Sequence, residues 1–331
     1  MPAPRIDVLG IGNAIVDVFA RVEEGFLGEH GLTKGMMRLV EEDVAEALYA
    51  QMGPATQVSG GSCANTMAGI ASLGGKGAYF GKVKADQLGE IFAHDMKAQG
   101  VRFDSPQAKE GPATARSFIL VTPDGERTMN TFLGACVNLG PADIDPAIVA
   151  DAQVTYMEGY LWDKPSAKEA FKLAAKLAHE AGRKTALTLS DSFCVDRHRE
   201  SFLDLIRNGI DILFANEKEI KSLYQTDRFS EALKAARRDC DIAVLTRSEA
   251  GCVVARGDEM HTIPSHYVKH VVDATGAGDL FAAGFLYGYT NGKDLVESAR
   301  LGALAAAEVI SHIGARPEVK LRDHAKKNGL L

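Results

Sequence analysis

The stretch VVDATGAGDLFAAGF, residues 271–285, is apolar at both ends and small and acidic in the middle. Asp279 directly precedes the apolar residues Leu280 and Phe281, which predicts that a helix begins within this segment. The backbone N–H groups at a helix start have no partner inside the helix and attract anions. A carboxylate beside these N–H groups is compatible with a site that handles an anion. A glycine-rich turn followed by an acidic first helical turn explains the stretch equally well when it is taken alone.

The whole chain has the composition of an ordinary globular protein. Its 331 residues are 46% hydrophobic and 24% charged, and this length predicts one large domain with at most a small appendage. The net charge of −7, without long Lys/Arg blocks, argues against a nucleic-acid partner. Five scattered cysteines indicate reduced thiols, and no apolar stretch reaches membrane-spanning length. We therefore expect a cytoplasmic protein with no membrane partner.

Short β-type runs alternate with helical patterns along most of the chain. This alternation predicts an α/β fold with a doubly wound, mostly parallel central sheet flanked by helices. Strands are predicted at 6–11, 77–83, 154–160 and 184–190, at the start of 211–224 and twice within 242–255. Helices are predicted at 62–73, 87–99 and 166–181, at the end of 211–224 and twice within 276–315.

Two regions, at about 13–40 and 112–136, break this alternation. They contain strand-like pieces such as AIVDVFARV and TARSFILV without a clear helix between them. Strands that pack together away from the main sheet would form a small β-sheet lid over one end of the domain. We therefore expect a single domain over residues 1–331, with a lid formed by these two inserted segments.

The segment LGIGNAIVD begins like a dinucleotide-binding fingerprint, with Gly10 and Gly12 after a predicted strand. The third glycine is missing and the next residues are β-like, so a pyrophosphate would have no helix N-terminus to bind. This leaves an NAD(P)-dependent oxidoreductase as a disfavoured alternative. Asn13 and Asp17 are better suited to hold vicinal hydroxyl groups, because a carboxylate accepts two hydroxyl protons and an amide both donates and accepts. An Asx turn with a solvated acid is the alternative.

The segment SGGSCANT places Gly60 and Gly61 directly ahead of the next predicted helix. Glycines let a ligand approach the backbone closely, and the helix start supplies N–H donors. Ser62 can cap this helix, and Asn65 in its first turns can point back to the same place. The alternative is a tight turn before an ordinary capped helix.

Two further motifs follow strands in the second half of the chain. In ANEKEI, Asn216 and Glu219 could hold Mg²⁺ through its water ligands. Asn and Glu at this spacing also form a helix capping box, and the motif taken alone favours that interpretation. In LTRSEAGC, the residues Thr246, Arg247 and Gly251 lie at a strand end and turn, which suits nucleotide phosphates or a plain hairpin.

Taken in this order, the motifs resemble those of the PfkB/ribokinase-like family of small-molecule kinases over nearly the whole chain. The most distinctive is DATGAGD at 273–279. The resemblance implies an α/β core with a β-sheet lid, a sugar or nucleoside held between them, and ATP with Mg²⁺ on the adjacent side. It implies that Asp279 is the base that deprotonates the substrate hydroxymethyl group, beside an anion hole formed by the N–H groups of Gly276, Ala277 and Gly278. Both groups belong on one turn, because the attacking oxygen and the γ-phosphate must lie in line.

Within the family, several stretches are most similar to the adenosine kinases, which phosphorylate adenosine to AMP. This resemblance implies base contacts for Phe193 and Leu161 and an apolar lid surface, suited to a flat ring, around Met37 and Met129. The implied acceptor-binding residues are Asn13, Asp17, Met37, Gly60, Gly61, Ser62, Asn65, Met129, Thr131, Leu161 and Phe193. The implied ATP-binding residues are Arg127, Asn216, Thr246, Arg247 and Gly251, with Glu219 holding Mg²⁺ through water.

Several interpretations stay open beside a nucleoside kinase. One is a kinase for ribose, fructose or 2-keto-3-deoxygluconate, and another is a kinase for inosine or guanosine. A non-catalytic ligand-binding relative is a third, against which the intact Asp279 argues. The resemblance also leaves open a K⁺ site near Asp273 and Thr275. For assembly we expect a monomer or a homodimer paired through the free edge of the lid.

Overall fold

A computed structural model describes residues 3–331 of the chain. Within these residues the structure contains two β-sheets and twelve α-helices. The strands are β1 (Ile6–Ile11), β2 (Ile15–Arg21), β3 (Met37–Leu39), β4 (Ala55–Gly60), β5 (Gly77–Phe80), β6 (Val101–Arg102), β7 (Ala115–Val121), β8 (Arg127–Phe132), β9 (Ala152–Glu158), β10 (Lys184–Thr188), β11 (Ile212–Asn216), β12 (Ile242–Thr246), β13 (Cys252–Arg256) and β14 (Glu259–Ile263). The helices are α1 (Glu24–Glu29), α2 (Glu42–Tyr49), α3 (Ser62–Leu73), α4 (Gln87–Ala98), α5 (Pro146–Asp151), α6 (Pro165–Glu180), α7 (Ser192–Gly209), α8 (Glu217–Leu223), α9 (Phe229–Asp239), α10 (Ala277–Thr290), α11 (Leu295–Val309) and α12 (Leu321–Lys327).

The central sheet has nine strands in the order β14-β13-β12-β11-β10-β9-β1-β5-β6. The strands from β12 to β6 pair in parallel, and β13 and β14 add an antiparallel hairpin at one edge. Parallel strands must be joined by crossovers, and the intervening helices supply them. The fold class predicted from the sequence is confirmed, with a mixed rather than wholly parallel central sheet.

Helices cover both faces of this sheet, so its strands are apolar on both sides. In β12, for example, Ile242 and Val244 pack into one core cluster, whereas Ala243 and Leu245 pack into the other. The first cluster also holds side chains of α3, α10 and α11, and the second those of α5 to α9. Such continuous apolar runs are typical of strands buried between two helical layers.

The second sheet has five strands in the order β3-β8-β7-β2-β4. It draws strands from both ranges that were predicted to form the lid, and it adds β4, which carries no recognisable strand pattern. Side chains on one face, such as Val18 and Phe118, pack with Leu27 of α1 and Leu48 of α2. The opposite face is therefore turned towards the central domain. No helix within residues 3–331 is long and apolar enough to cross a membrane.

Candidate active site

The candidate site lies where the central strands end. In the parallel pair of β1 and β9, Ile11 is opposite Met157, so the residues that follow β1 lie beside Glu158 at the end of β9. Open α/β sheets bind their ligands at this carboxyl edge, where the connections diverge. The chain after β1 continues directly into β2 and not into a helix. A dinucleotide site built on Gly10 and Gly12 is therefore excluded.

Asp279 is the third residue of α10, and its carboxylate is held by the first turn of α3. Ser62 Oγ donates to Asp279 Oδ1 over 2.6 Å, and Asn65 Nδ2 donates to Asp279 Oδ2 over 3.1 Å. The two helices approach closely at Gly69, where a Cβ would lie 2.7 Å from the side chain of Leu280. Burial raises the pKa of Asp279, while the two hydrogen bonds oppose this rise.

The turn before α10 needs glycine at position 276. Gly276 has φ +80°, and a Cβ there would lie 2.7 Å from the Cα of Ala315. Ala277 N–H donates to the carbonyl oxygen of Ala274 over 3.3 Å. Among the hydrogen bonds within residues 3–331, none uses the N–H of Gly276 or Gly278. Two of the three predicted anion-hole donors are thus free, and the third makes a long bond within its own turn.

Asn13 is buried beside Glu158 at the end of the central strands. Its Nδ2 donates to Glu158 Oε1 over 2.8 Å, and the backbone N–H of Cys63 donates to Glu158 Oε2 over 2.9 Å. Because Glu158 holds the amide nitrogen, the amide oxygen faces away from it, and Asn13 Oδ1 is buried without a partner in residues 3–331. A buried acceptor of this kind receives its hydrogen bond from a bound water molecule or from a ligand. Burial raises the pKa of Glu158 to about 7.

Asp17 of β2 packs directly on the glycine pair that follows β4. A Cβ on Gly60 would overlap the carboxylate of Asp17, and one on Gly61, at φ +95°, would overlap the carbonyl oxygen of Asn13. Both glycines are therefore required by close approach and not only by turn geometry. Burial raises the pKa of Asp17 to about 7, and Arg316 is the cation that most opposes this rise.

The strand register places the predicted lid residues on one face of the second sheet. Asp17 is opposite Ser117, and Ser117 is opposite Thr131, whose hydroxyl groups lie 2.8 Å apart. Two residues earlier in β8, Met129 is opposite Met37. Residues opposite each other in a sheet share a face. Met37 is 45% exposed, so this inner face of the lid, defined by Asp17, Met37, Met129 and Thr131, offers apolar surface beside a carboxylate.

The two residues predicted to contact a base from the central domain differ in accessibility. Phe193, the second residue of α7, is 74% exposed. Leu161 is only 2% exposed, because it packs into the core cluster with Trp162. The expectation for Leu161 is therefore corrected: its side chain stabilises the core and presents no surface to a ligand.

Arg127, predicted to reach the phosphates of ATP, joins the lid to the DATGAGD turn. Its Nη1 lies 2.6 Å from Asp273 Oδ2, and both side chains are 9% exposed. Asp273 Oδ2 also accepts from the N–H of Gly314, and Asp273 Oδ1 accepts from the N–H and hydroxyl of Thr275. Arg127 Nη2 is buried without a hydrogen-bond partner in the described chain. One end of the guanidinium therefore stays available for an anion.

Asn216 and Glu219 form the capping box that their spacing favours. Asn216 Oδ1 accepts from the N–H of Glu219 over 2.9 Å, and the Glu219 carboxylate accepts from the backbone and side-chain nitrogens of Asn216. Glu219 is buried, which raises its pKa to about 7. Because this carboxylate is only 5% exposed and bonded to its own helix cap, it does not fit as a direct ligand of a hydrated Mg²⁺ ion.

Thr246 ends β12 directly opposite Asn216, so the two motifs lie side by side at the carboxyl edge. Arg247 Nε donates to Glu217 Oε2 over 2.8 Å, and its N–H donates to the carbonyl oxygen of Gly251 over 2.7 Å. Gly251 has φ +80°. The local structure is therefore the hairpin turn that was one of the two interpretations of this motif. It lies at the edge of the sheet where a nucleotide could bind.

A cavity of about 830 Å³ lies between β2 and β4 of the lid, Asn65 of α3, the C-terminal end of α4 and the loop 313–316. Its lining includes Asp17, Asn65, Asp95 and Arg316. No sequence motif indicated Arg316 or Glu158, which both lie in this region. An acid at the end of a buried apolar strand could have signalled Glu158, but Arg316 lies in a loop with no such signal.

Comparisons with known proteins identify the family and the fold. Residues 35–321 match the profile of the pfkB family carbohydrate kinases. The structure is similar to that of an adenosine kinase from Sinorhizobium meliloti, with 56% identity, a TM-score of 0.90, and 98% of this chain and 99% of that chain covered. It is equally similar to a probable sugar kinase from Rhizobium etli, with 56% identity, a TM-score of 0.92 and coverage of 99% and 100%. The adenosine kinase of Saccharomyces cerevisiae is 27% identical over 327 residues, covering 92% of this chain and 94% of the yeast protein.

Proposed function

The chain belongs to the PfkB family of carbohydrate kinases, and on this premise we propose that it transfers the γ-phosphoryl group of ATP to the 5′-hydroxymethyl group of adenosine. The products are AMP and ADP. The observation that carries the proposal is the placement of Asp279 at the start of α10, held by Ser62 and Asn65 beside the free N–H groups of Gly276 and Gly278.

This arrangement supports in-line phosphoryl transfer. Asp279 takes the proton of the acceptor hydroxyl while the oxygen of that hydroxyl bonds to the γ-phosphorus. At the same time the bond between the γ-phosphorus and the β–γ bridging oxygen breaks, and ADP leaves. The N–H groups of Gly276 and Gly278 stabilise negative charge on the transferred group. Members of the family use ATP with Mg²⁺, which neutralises phosphate charge when bound. For Glu219, only a contact to Mg²⁺ through water remains compatible with its buried capping box.

The acceptor is held from two sides in this proposal. Asn13 Oδ1 and the Asp17 carboxylate accept hydrogen bonds from the ribose hydroxyl groups. The exposed Met37 and the partly buried Met129 of the inner lid face, together with Phe193, supply apolar surface for a purine, which a plain sugar would not use. The similarity to an adenosine kinase at 56% identity supports the same acceptor. A sugar kinase is the second candidate, favoured by the equal similarity to the probable sugar kinase.

The decisive experiment is ADP release from ATP and Mg²⁺ with a panel of acceptors: adenosine, inosine, guanosine, ribose, fructose and 2-keto-3-deoxygluconate. We expect strong turnover with adenosine and weak turnover with the others. Turnover with a sugar and none with nucleosides would contradict the purine contacts of Met37, Met129 and Phe193 while keeping the role of Asp279. No turnover with any acceptor would contradict the proposed activity as a whole.

For the monovalent cation, we propose that Arg127 takes the role that the resemblance gives to K⁺. The Asp273 carboxylate already faces the Arg127 guanidinium and accepts hydrogen bonds from Thr275 and Gly314. A fixed cation at 2.6 Å neutralises that carboxylate without an added ion. Replacing KCl by choline chloride at equal ionic strength should therefore change kcat by less than about twofold. A loss that K⁺ alone restores would contradict this proposal.

We propose a monomer or a lid-paired homodimer in the cytoplasm. The outer edges of β3 and β4 in the second sheet have no partner strand within residues 3–331, and Leu39 and Val58 on these strands are exposed. Such edges can pair with a second copy. The five cysteines are unpaired thiols in the structure, which suits a reducing compartment. Sedimentation velocity separates the two assembly states.

A further inference from the structure

Arg316 lies in the loop after α11, inside the cavity beneath the lid. Its Nε donates to Asn65 Oδ1 over 3.2 Å, and its Nη1 donates to Ser59 Oγ over 2.7 Å. The backbone N–H of Ser59 in turn donates to Asp95 Oδ2 of α4 over 2.9 Å. These contacts join the end of β4, the first turn of α3 and the C-terminal loop around one guanidinium.

The contact with Asn65 determines which end of that amide faces Asp279. An arginine side chain only donates hydrogen bonds, so it can face only the amide oxygen of Asn65. The amide nitrogen is thereby turned towards Asp279 Oδ2, where it donates over 3.1 Å. Without Arg316 the Asn65 amide is free to rotate. In the rotated state its oxygen would face the Asp279 carboxylate, and the two would repel each other.

We propose that Arg316 is a positioning residue for the base Asp279, which it orients through Asn65 while providing the counter-charge for the carboxylates beneath the lid. The inference rests on the proposed kinase function, since it gives Arg316 a task in that reaction. Asn65 and Asp279 lie 251 and 37 residues from Arg316 in sequence, and no part of the motif set includes it.

The charges around Asp279 support this role. The titratable groups that face it or its neighbours are Asp17 of β2, Cys63 of α3, Arg127 of β8, Tyr156 and Glu158 of β9, Tyr160 and Arg316. Arg316 is the cation that lowers the pKa of Asp279, against the rise caused by burial. Burial lowers the pKa of Arg316 itself only to about 10, so it stays charged at neutral pH.

The test compares Arg316→Gln and Arg316→Lys with Arg300→Gln, an exposed arginine of α11 that serves as the matched control. Single-turnover rates with ATP and the acceptor isolate the transfer step. We expect Arg316→Gln to slow transfer by about 10- to 100-fold, since small misplacements of a base cost this much. Its pH–rate profile should also shift its acidic limb to higher pH. Arg316→Lys keeps the charge, so it should restore the limb and only part of the rate.

A double-mutant cycle separates positioning from a general structural effect. If Arg316 acts through Asn65, the variant Asn65→Ala/Arg316→Gln should be no slower than Asn65→Ala alone. Additive losses, or an Arg316→Gln profile with an unshifted acidic limb, would overturn the proposal. Thermal unfolding of each variant identifies any loss that comes only from misfolding, and Arg316→Lys remains informative if Arg316→Gln does not fold.

A readout without an acceptor keeps this inference separate from the proposed function. The carboxyl ¹³C signal of Asp279, assigned with Asp279→Asn, can be titrated in the wild-type protein and in Arg316→Gln. We expect its midpoint to rise in the variant, and an unchanged midpoint would overturn the counter-charge role. If the wild-type protein phosphorylates a sugar instead of adenosine, the same variants are measured with that sugar, and only the acceptor assignment fails.

Discussion

Replacing Asp279 by Asn should lower kcat by about 10²- to 10⁴-fold, the range that a positioned general base contributes. Asparagine keeps the size of the side chain and can still accept from Ser62 Oγ, but it cannot take up the proton of the acceptor hydroxyl. Burial raises the pKa of Asp279 above the usual range of an aspartate, which makes it a better base than a solvated one. Steady-state kinetics with adenosine, together with calorimetric measurement of adenosine binding, checks the prediction. Binding should be nearly unchanged.

The matched control is Asp294→Asn, because Asp294 is an exposed acid at the start of another helix, α11. It caps that helix by accepting from the N–H of Glu297 over 2.7 Å, and asparagine can make the same bond. Its kcat should stay at the wild-type value. If Asp279→Asn kept near-wild-type activity, Asp279 would not be the base. If instead it lost adenosine binding along with turnover, its role would be in holding the acceptor.

The features that could be predicted from the sequence are those that local chemistry determines. Position 276 requires glycine because its φ is +80° and because a Cβ there would lie 2.7 Å from the Cα of Ala315, which is too close. Gly60 and Gly61 are required by the approach of Asp17 and Asn13. Such constraints leave a residue type in the sequence that a reader can recognise. The alternation of strands and helices identifies the sheet for the same reason, since burial on two faces demands apolar runs.

The features that could not be predicted depend on contacts between distant parts of the chain. Glu158 meets Asn13 across 145 residues, and Arg316 meets Asn65 across 251. Neither stands in a local pattern, because a side chain that acts through a tertiary hydrogen bond needs no particular neighbour in sequence. Leu161 is the opposite case. The resemblance predicted that it contacts the base, but its side chain is buried in the core of the central domain.

The capping motif shows why one spacing can support two interpretations. Asn216 and Glu219 satisfy each other in the structure, and the Glu219 carboxylate is buried in this capping box. Sequence spacing cannot separate these uses, since an N-cap and a site at a strand end place the same residue types at the same edge of the sheet. Only the hydrogen bonds decide between them.

Replacing Asp17 by Asn should separate acceptor binding from stability. In the proposed complex the ionised carboxylate accepts hydrogen bonds from two hydroxyl groups, and hydrogen bonds to charged groups contribute about 1.5–3 kcal/mol each. We therefore expect the adenosine KM at pH 8 to rise by about 10²-fold, with kcat much less affected. In the wild-type protein, kcat/KM for adenosine should fall as the pH is lowered through about 7, where Asp17 takes up its proton. That limb should be absent in Asp17→Asn, and its persistence there would assign it to another group.

The same substitution should make the protein more stable, because the ionised Asp17 carboxylate is buried in the folded state and loses its hydration there. Burial raises its pKa from 3.8 to about 7, so the folded protein holds this proton more tightly than the unfolded chain does. The ionised form therefore destabilises the fold increasingly between pH 4 and 7, and by a constant amount above pH 7. Each pKa unit corresponds to about 1.4 kcal/mol, which sets an upper limit of about 4 kcal/mol for the gain of Asp17→Asn at pH 8. Urea unfolding of both proteins from pH 8 to pH 4 should show a difference that shrinks towards zero, whereas the exposed control Asp258→Asn should show none. A variant that loses acceptor affinity without gaining stability at pH 8 would mean that the buried charge of Asp17 is already fully compensated by Arg316 and Arg127.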